Sequence, residues 1–135
     1  MTALAADTVR PYRARRALTP YPVKKNATIR AGSIVELDGG YAVAASKGEN
    51  KTYIGIADKG VTGGTSNGAK NVLVRRDVVA RFSNASGGDA IGAGDVGKQA
   101  YVVDDNTVTD TSTSTTALGR IETVTPEGIW VQLPR

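Results

Sequence analysis

Apolar residues in this chain come in short β-branched runs, cut by clusters of Gly, Asn and Asp, and no long helix-compatible stretch interrupts them. Tyr21 to Lys25 reads as a first strand. Ile34-Val35-Glu36-Leu37, then Asp38-Gly39-Gly40, then Tyr41-Ala42-Val43 reads as a hairpin, because Asp-Gly and Gly-Gly supply the positive φ of a tight turn. Tyr53 to Ala57 is another strand, and Gly60 to Ala69 has the composition of a flexible loop. Asn71 to Phe82 reads as the longest β segment, with Val78, Ala80 and Phe82 on one face and Val79 and Arg81 on the other. Arg75-Arg76-Asp77 breaks its alternation and predicts a bulge or tight bend. Asn84 to Gly94 is a loop, and Ala93 to Gly97 suits one helical turn closed by Gly97. Gln99 to Asp104 and Thr107 to Thr109 flank a short turn, and Asp110 to Thr116 is a low-complexity loop. The clearest hairpin is last: Leu118 to Val124 turns through Thr125-Pro126-Glu127-Gly128 and returns as Ile129 to Leu133. The pattern predicts eight to ten short strands and an all-β class, a single small β-barrel or sandwich-like domain over residues 21–135.

Residues 1–17 keep neither period, and with Thr19-Pro20-Tyr21-Pro22 they read as an extended arm over residues 1–20 that orders against a partner. Charge sharpens that division. Residues 1–30 hold seven Lys/Arg against one acid, whereas residues 31–135 hold ten against twelve. The basic character of the chain therefore belongs to its N-terminal part, and the body is nearly neutral. Arg10, Tyr12, Arg13, Arg15 and Arg16, with Lys24 and Lys25 behind them, are the candidate partner-binding residues. Guanidinium forks interleaved with Pro and Tyr suit bidentate pairing with carboxylates or phosphates and stacking on rings.

Length and composition narrow the chemistry. At 135 residues the chain suits one domain. It has no Cys and no His, which removes disulfides, thiolate metal sites, the commonest general base and the commonest metal ligand. No apolar run approaches the ~20 residues that cross a bilayer, and the N-terminus lacks the basic n-region and apolar length of a signal peptide. Gly92-x-Gly94-x-x-Gly97 has the letters of a dinucleotide fingerprint, but a strand follows it where the fingerprint needs a helix. Gly63 to Lys70 lacks the Gly-Lys-Ser/Thr ending of a phosphate loop. Asp104, Asp105, Asn106 and Asp110 are oxygen-rich, yet turn chemistry already asks for these residues there. Ser and Thr are abundant without a Ser-x-x-Lys run, and sequence alone does not set Glu36, Asp58 or Glu122 across a cleft. A non-enzymatic, interaction-only protein without cofactor or metal is the expectation.

Several segments in order resemble the phage head decoration (capsid cement) proteins. They are Ala31 to Ala45, Ile54-Gly55-Ile56-Ala57, Val72-Leu73-Val74-Arg75-Arg76, and Asp95-Val96-Gly97-Lys98 leading to Tyr101-Val102-Val103-Asp104-Asp105. Leu118-Gly119-Arg120-Ile121 and Gly128-Ile129-Trp130-Val131 close the series, which spans residues from about 18 to 133. Asp77 stands where such proteins often carry Gly after the basic pair. The resemblance implies a β-barrel-like domain that oligomerises, as a trimer rather than a dimer, on the outside of an expanded capsid, with the major capsid protein as partner. It implies synthesis in the host bacterial cytoplasm, no small-molecule substrate and no membrane. The alternative is a small β-barrel nucleic-acid-binding protein, with the arm on phosphates and Tyr12, Tyr21 or Tyr53 stacking on bases; the near-neutral body disfavours it. A cofactor-free hydrolase is a third reading.

Overall fold

A computed structural model describes residues 18–135. The protein is all β, built from twelve strands: β1 Thr19–Pro22, β2 Thr28–Ile29, β3 Ile34–Asp38, β4 Tyr41–Ala44, β5 Tyr53–Ala57, β6 Val61–Thr62, β7 Asn71–Arg75, β8 Val79–Asn84, β9 Gln99–Val102, β10 Thr107–Thr109, β11 Ala117–Thr125 and β12 Gly128–Gln132. These strands form two β units in succession along the chain. The first is a five-stranded sheet in the order β1-β7-β5-β3-β4, with β2 and β6 paired as a separate ribbon. The second is a closed five-stranded barrel in the order β10-β8-β12-β11-β9. All its pairings are antiparallel except one, in which β10 runs parallel to β8; the antiparallel pair β9–β10 closes the ring.

Local chemistry accounts for the hairpins. Asp38 pairs directly with Tyr41, leaving Gly39 and Gly40 as a two-residue turn with φ of 60° and 89°. Thr125 pairs with Gly128 across Pro126 and Glu127 in the same way. β11 is the longest strand at nine residues and carries two bulges, one between Ala117 and Gly119 and one between Ile121 and Thr123. Each bulge adds a residue, so Leu118, Ile121 and Val124 face the barrel core at a spacing of three. The same bends let a small sheet close on itself. Phe82, Ala100, Val102, Val108, Ile129 and Val131 fill the interior, which is a packed core and not a channel.

Two inner strands of the sheet, β3 and β5, are buried on both faces, whereas β7 leaves Asn71 and Leu73 exposed. In β3, Ile34 packs into the barrel core while its neighbour Val35 packs into the core of the first unit with Val23, Ile54, Val72 and Val74. Ile34, Val35 and Glu36 are all buried, as expected of a strand covered on both sides. In β5, Tyr53 and Ile56 serve the barrel core, while Ile54 and Ala57 serve the other. That division needs a register shift, and the ladder supplies it: Glu36 pairs with Tyr53 but Val35 pairs with Gly55, which leaves Ile54 as the extra residue. Gly55 has φ 148°, and a Cβ there would lie 2.3 Å from the Arg75 carbonyl oxygen.

Four expectations change. β1 ends at Pro22, so Lys24 and Lys25 lie beyond the strand, and Thr19 and Pro20 belong to the sheet, not to the arm. Residues 60–69 are not a free loop: β6 lies within them, and the Asn26, Gly63 and Gly68 N–H groups donate to the Gly64, Ala27 and Val23 carbonyls, tying residues 63–68 along residues 23–27. Composition suggested flexibility, but backbone pairing with a distant segment overrides it. Asn71 to Phe82 is two strands in different units; the break expected at Arg75-Arg76-Asp77 is the crossing between them, with Asp77 at φ 53°. The described strands number twelve, not eight to ten, because β2 and β6 are too short for their sequence to announce. The turn at Ala93–Asp95 is a 3-10 turn, with Gly97 at φ 90° after it. Replacing Gly55 with Ala is expected to lower stability by about 2 kcal/mol or more, through a φ foreign to L side chains and the carbonyl clash; urea unfolding of the variant measures it.

Candidate interaction surfaces

The most connected polar cluster joins the two units. Glu36, 4% exposed, accepts hydrogen bonds from the Ser46 N–H (3.0 Å) and Ser46 hydroxyl (3.2 Å) through Oε1 and pairs with Lys51 Nζ at 3.0 Å through Oε2. Tyr53 donates its hydroxyl to the Ser46 carbonyl at 2.7 Å. From the barrel side, Thr116 accepts the Lys51 N–H at 3.1 Å and donates to the Gly48 carbonyl at 2.8 Å. The segment between β4 and β5 is thereby clamped onto the barrel. Burial, and then the nearby Glu36 charge, push the Tyr53 hydroxyl up to about 12, so it stays protonated at neutral pH. With both carboxylate oxygens and the ammonium engaged, this cluster acts as a tie between elements.

The sequence-predicted residues fall in different places. Arg10, Tyr12, Arg13, Arg15 and Arg16 lie outside the described residues. Lys24 Nζ sits 2.7 Å from Asp38 Oδ2, and this ammonium holds the Asp38 carboxyl below the usual carboxylate range. Its charge is therefore answered within the molecule. Lys25 is exposed, and its N–H donates to Asn67 Oδ1 at 2.9 Å. Residue 18 leads into β1, whose Thr19 pairs with Val74 of β7, so the arm joins the body at the crossing between the units. Around that root, Arg76 donates to the Tyr21 hydroxyl at 2.7 Å and to the Arg135 carbonyl, and Arg75 pairs with Asp58 at 2.7 Å.

The remaining motifs resolve into turn chemistry. Asp95 accepts the Gly92 N–H at 2.9 Å inside the 3-10 turn, and β9 follows, so the three glycines open no helix. Asp104 accepts the Asn106 N–H at 2.8 Å, and Asp105 accepts the Ser33 hydroxyl at 3.1 Å. No group of three or more Asp, Glu, His or Cys able to hold a metal occurs among the described residues. Tyr53 is 7% exposed and closed to a stacking base, and Tyr21 is half-buried.

Sequence patterning alone does not single out the surface around Trp130. Trp130 is 37% exposed on the outer face of β12, between Thr123 of β11 and Arg81 of β8, and the Arg81 guanidinium carbon lies 5.9 Å from the ring centroid. Val79 is exposed on the same side of β8. Strand alternation carried the signal: Ile129 and Val131 point inward, so Trp130 must point outward. Exposed tryptophan beside arginine is the composition of contact surfaces.

The chain matches no protein-family model, no curated protein and no solved structure.

Because Tyr53 holds its proton more tightly when folded, its contribution to stability is complete below pH 10 and drains away as pH rises from 10 towards 12. Tyr53→Phe is expected to cost about 1 kcal/mol at neutral pH, from the lost hydrogen bond. Its deficit against the unaltered protein should shrink across that window, as read by urea midpoints at successive pH values.

Proposed function

We propose that this protein is a non-enzymatic capsid decoration protein, which binds the outer surface of an expanded phage head as a trimer and stabilises the shell through contacts with the major capsid protein. The observation that carries the proposal is the body itself: a closed barrel fused to a sheet, with its buried carboxylate Glu36 tied by Ser46 and Lys51. A basic N-terminal segment enters that body at a paired strand. Cementing asks for a rigid body and side chains that reach neighbours, and it needs no reactive group. Contacts of modest strength suffice, because symmetry-related copies act together on one shell and binding favours the assembled state by mass action. The succession of segments from about 18 to 133 that resembles head decoration proteins supports the same reading.

A second reading, nucleic-acid binding, draws on the basic arm and on exposed Trp130 beside Arg81. The body weakens it. Residues 18–135 carry thirteen Lys/Arg against twelve Asp/Glu, too even a balance for a phosphate-tracking groove.

The test mixes the protein with undecorated expanded capsids of the phage that carries it and follows co-sedimentation and heat resistance. Saturable binding at a fixed copy number with a raised disruption temperature is expected; no binding overturns the proposal. Deleting residues 1–17 is expected to weaken capsid binding at least tenfold, and unchanged affinity would remove the arm from the interface.

A further inference from the structure

Between the two units the structure forms a cleft of ≈ 380 Å³, lined by Arg30 and Ser33 from the first unit and by Arg81, Asp105 and Asn106 from the barrel. The walls are fixed. Arg30 opens a turn in which the Ser33 N–H donates to the Arg30 carbonyl at 3.1 Å. Ser33 then donates its hydroxyl to Asp105 (3.1 Å), and the Ile34 N–H donates to the Asp105 carbonyl (2.8 Å), which binds this turn to the barrel's β9–β10 connection. Arg81 projects from β8 beside the Trp130 ring, which limits its rotamers. Both arginines are exposed, and neither forms an ion pair with an acid among the described residues. A second hollow of ≈ 390 Å³, lined by Thr28, Ile29, Val61 and Thr62 of the β2–β6 ribbon, shares Arg30 and Ala31 with the first.

We infer that this cleft receives a carboxylate-bearing, extended segment of a protein partner, held by the Arg30 and Arg81 guanidinium groups, with an apolar side chain of the same segment passing onto the β2–β6 hollow. The inference deepens the decoration reading, on which it rests for the partner's place in the shell. Two guanidinium forks lining one cleft match carboxylates, which they pair bidentately. Asp105 also lines the cleft, its Oδ2 accepting from Ser33, so two guanidinium groups stand against one carboxylate and the cleft keeps an excess of positive charge. A polynucleotide would need a longer basic track than two arginines on a near-neutral body.

Trp130 is the chain's one tryptophan, so its emission reports this locality alone. The full chain is titrated at low salt with a tryptophan-free peptide of glutamates followed by leucines, and separately with an oligothymidylate of equal charge. A saturable emission change with the peptide is expected, weakened at least tenfold in Arg30→Glu and less in Arg30→Gln; Arg30 is exposed and the guanidinium over the ring is that of Arg81, so folding and baseline emission should hold. A peptide that leaves emission unchanged, or binds Arg30→Glu equally well, overturns the inference. Tighter binding of the oligothymidylate also overturns it and assigns the cleft to nucleic acid. Emission that changes on simple dilution overturns it in favour of a second copy of this chain. Capsid co-sedimentation of the same protein separates the two readings. Capsid binding without peptide binding sinks the cleft alone, and peptide binding without capsid binding sinks decoration alone.

Discussion

Ile34 and Val35 are adjacent in the chain, fully buried, and belong to different hydrophobic cores. The rest of the architecture depends on that fact. A strand sends alternate side chains to opposite faces, so β3 can seal the barrel with one face and the first unit with the other. β5 repeats the division only because the extra residue at Ile54 and the positive φ of Gly55 reset its phase. Without the bulge, Ile56 would turn away from the barrel core, where it now faces Ile34 across the ladder.

Around this shared layer the polar groups act as fasteners. Glu36 stands next to Val35 on β3 and, with Lys51, Ser46 and Tyr53, pins the β4–β5 segment, which Thr116 then holds to the barrel. Asp105 reaches the other way, to Ser33 and Ile34. Removing Lys51 leaves the buried Glu36 carboxylate without its counter-charge, which costs more than the pair itself contributes. The consequence for function is geometric. The arm root near Arg76 and the cleft between Arg30 and Arg81 are both framed by elements from the two units, so the two surfaces stand at fixed positions on one body.

Much of this fold was legible in the sequence where chemistry is local. The hairpins at Asp38-Gly39-Gly40 and Thr125 to Gly128, the extent of β5, and the break at Arg75 to Asp77 follow from turn residues and alternation. What lay beyond reach was set by distant pairing. Nothing in Gly60 to Ala69 announces that it zips onto residues 23–27, and nothing in Asn71 to Phe82 says that its halves serve different sheets. Leu118, Ile121 and Val124 carry a spacing of three that only the two bulges explain. Of the candidate contact residues, Lys24 proved committed to Asp38 and Lys25 exposed. The pairing of Arg30 with Arg81 is not legible in the sequence, because they come from segments 51 residues apart that only the tertiary fold brings to one cleft.

If β3 and β5 make one body of two cores, the units must unfold together. The direct measurement is urea unfolding of the protein and of Ile34→Ala, followed by Trp130 emission for the barrel and by the amide resonances of Val72 and Val74 for the first unit. Coincident transitions are expected, both displaced by the same amount in the variant, corresponding to about 2–5 kcal/mol for the methylenes and cavity at that site. A barrel transition that moves alone, or two separate midpoints in the unaltered protein, would contradict the shared layer and leave two independent units on one chain.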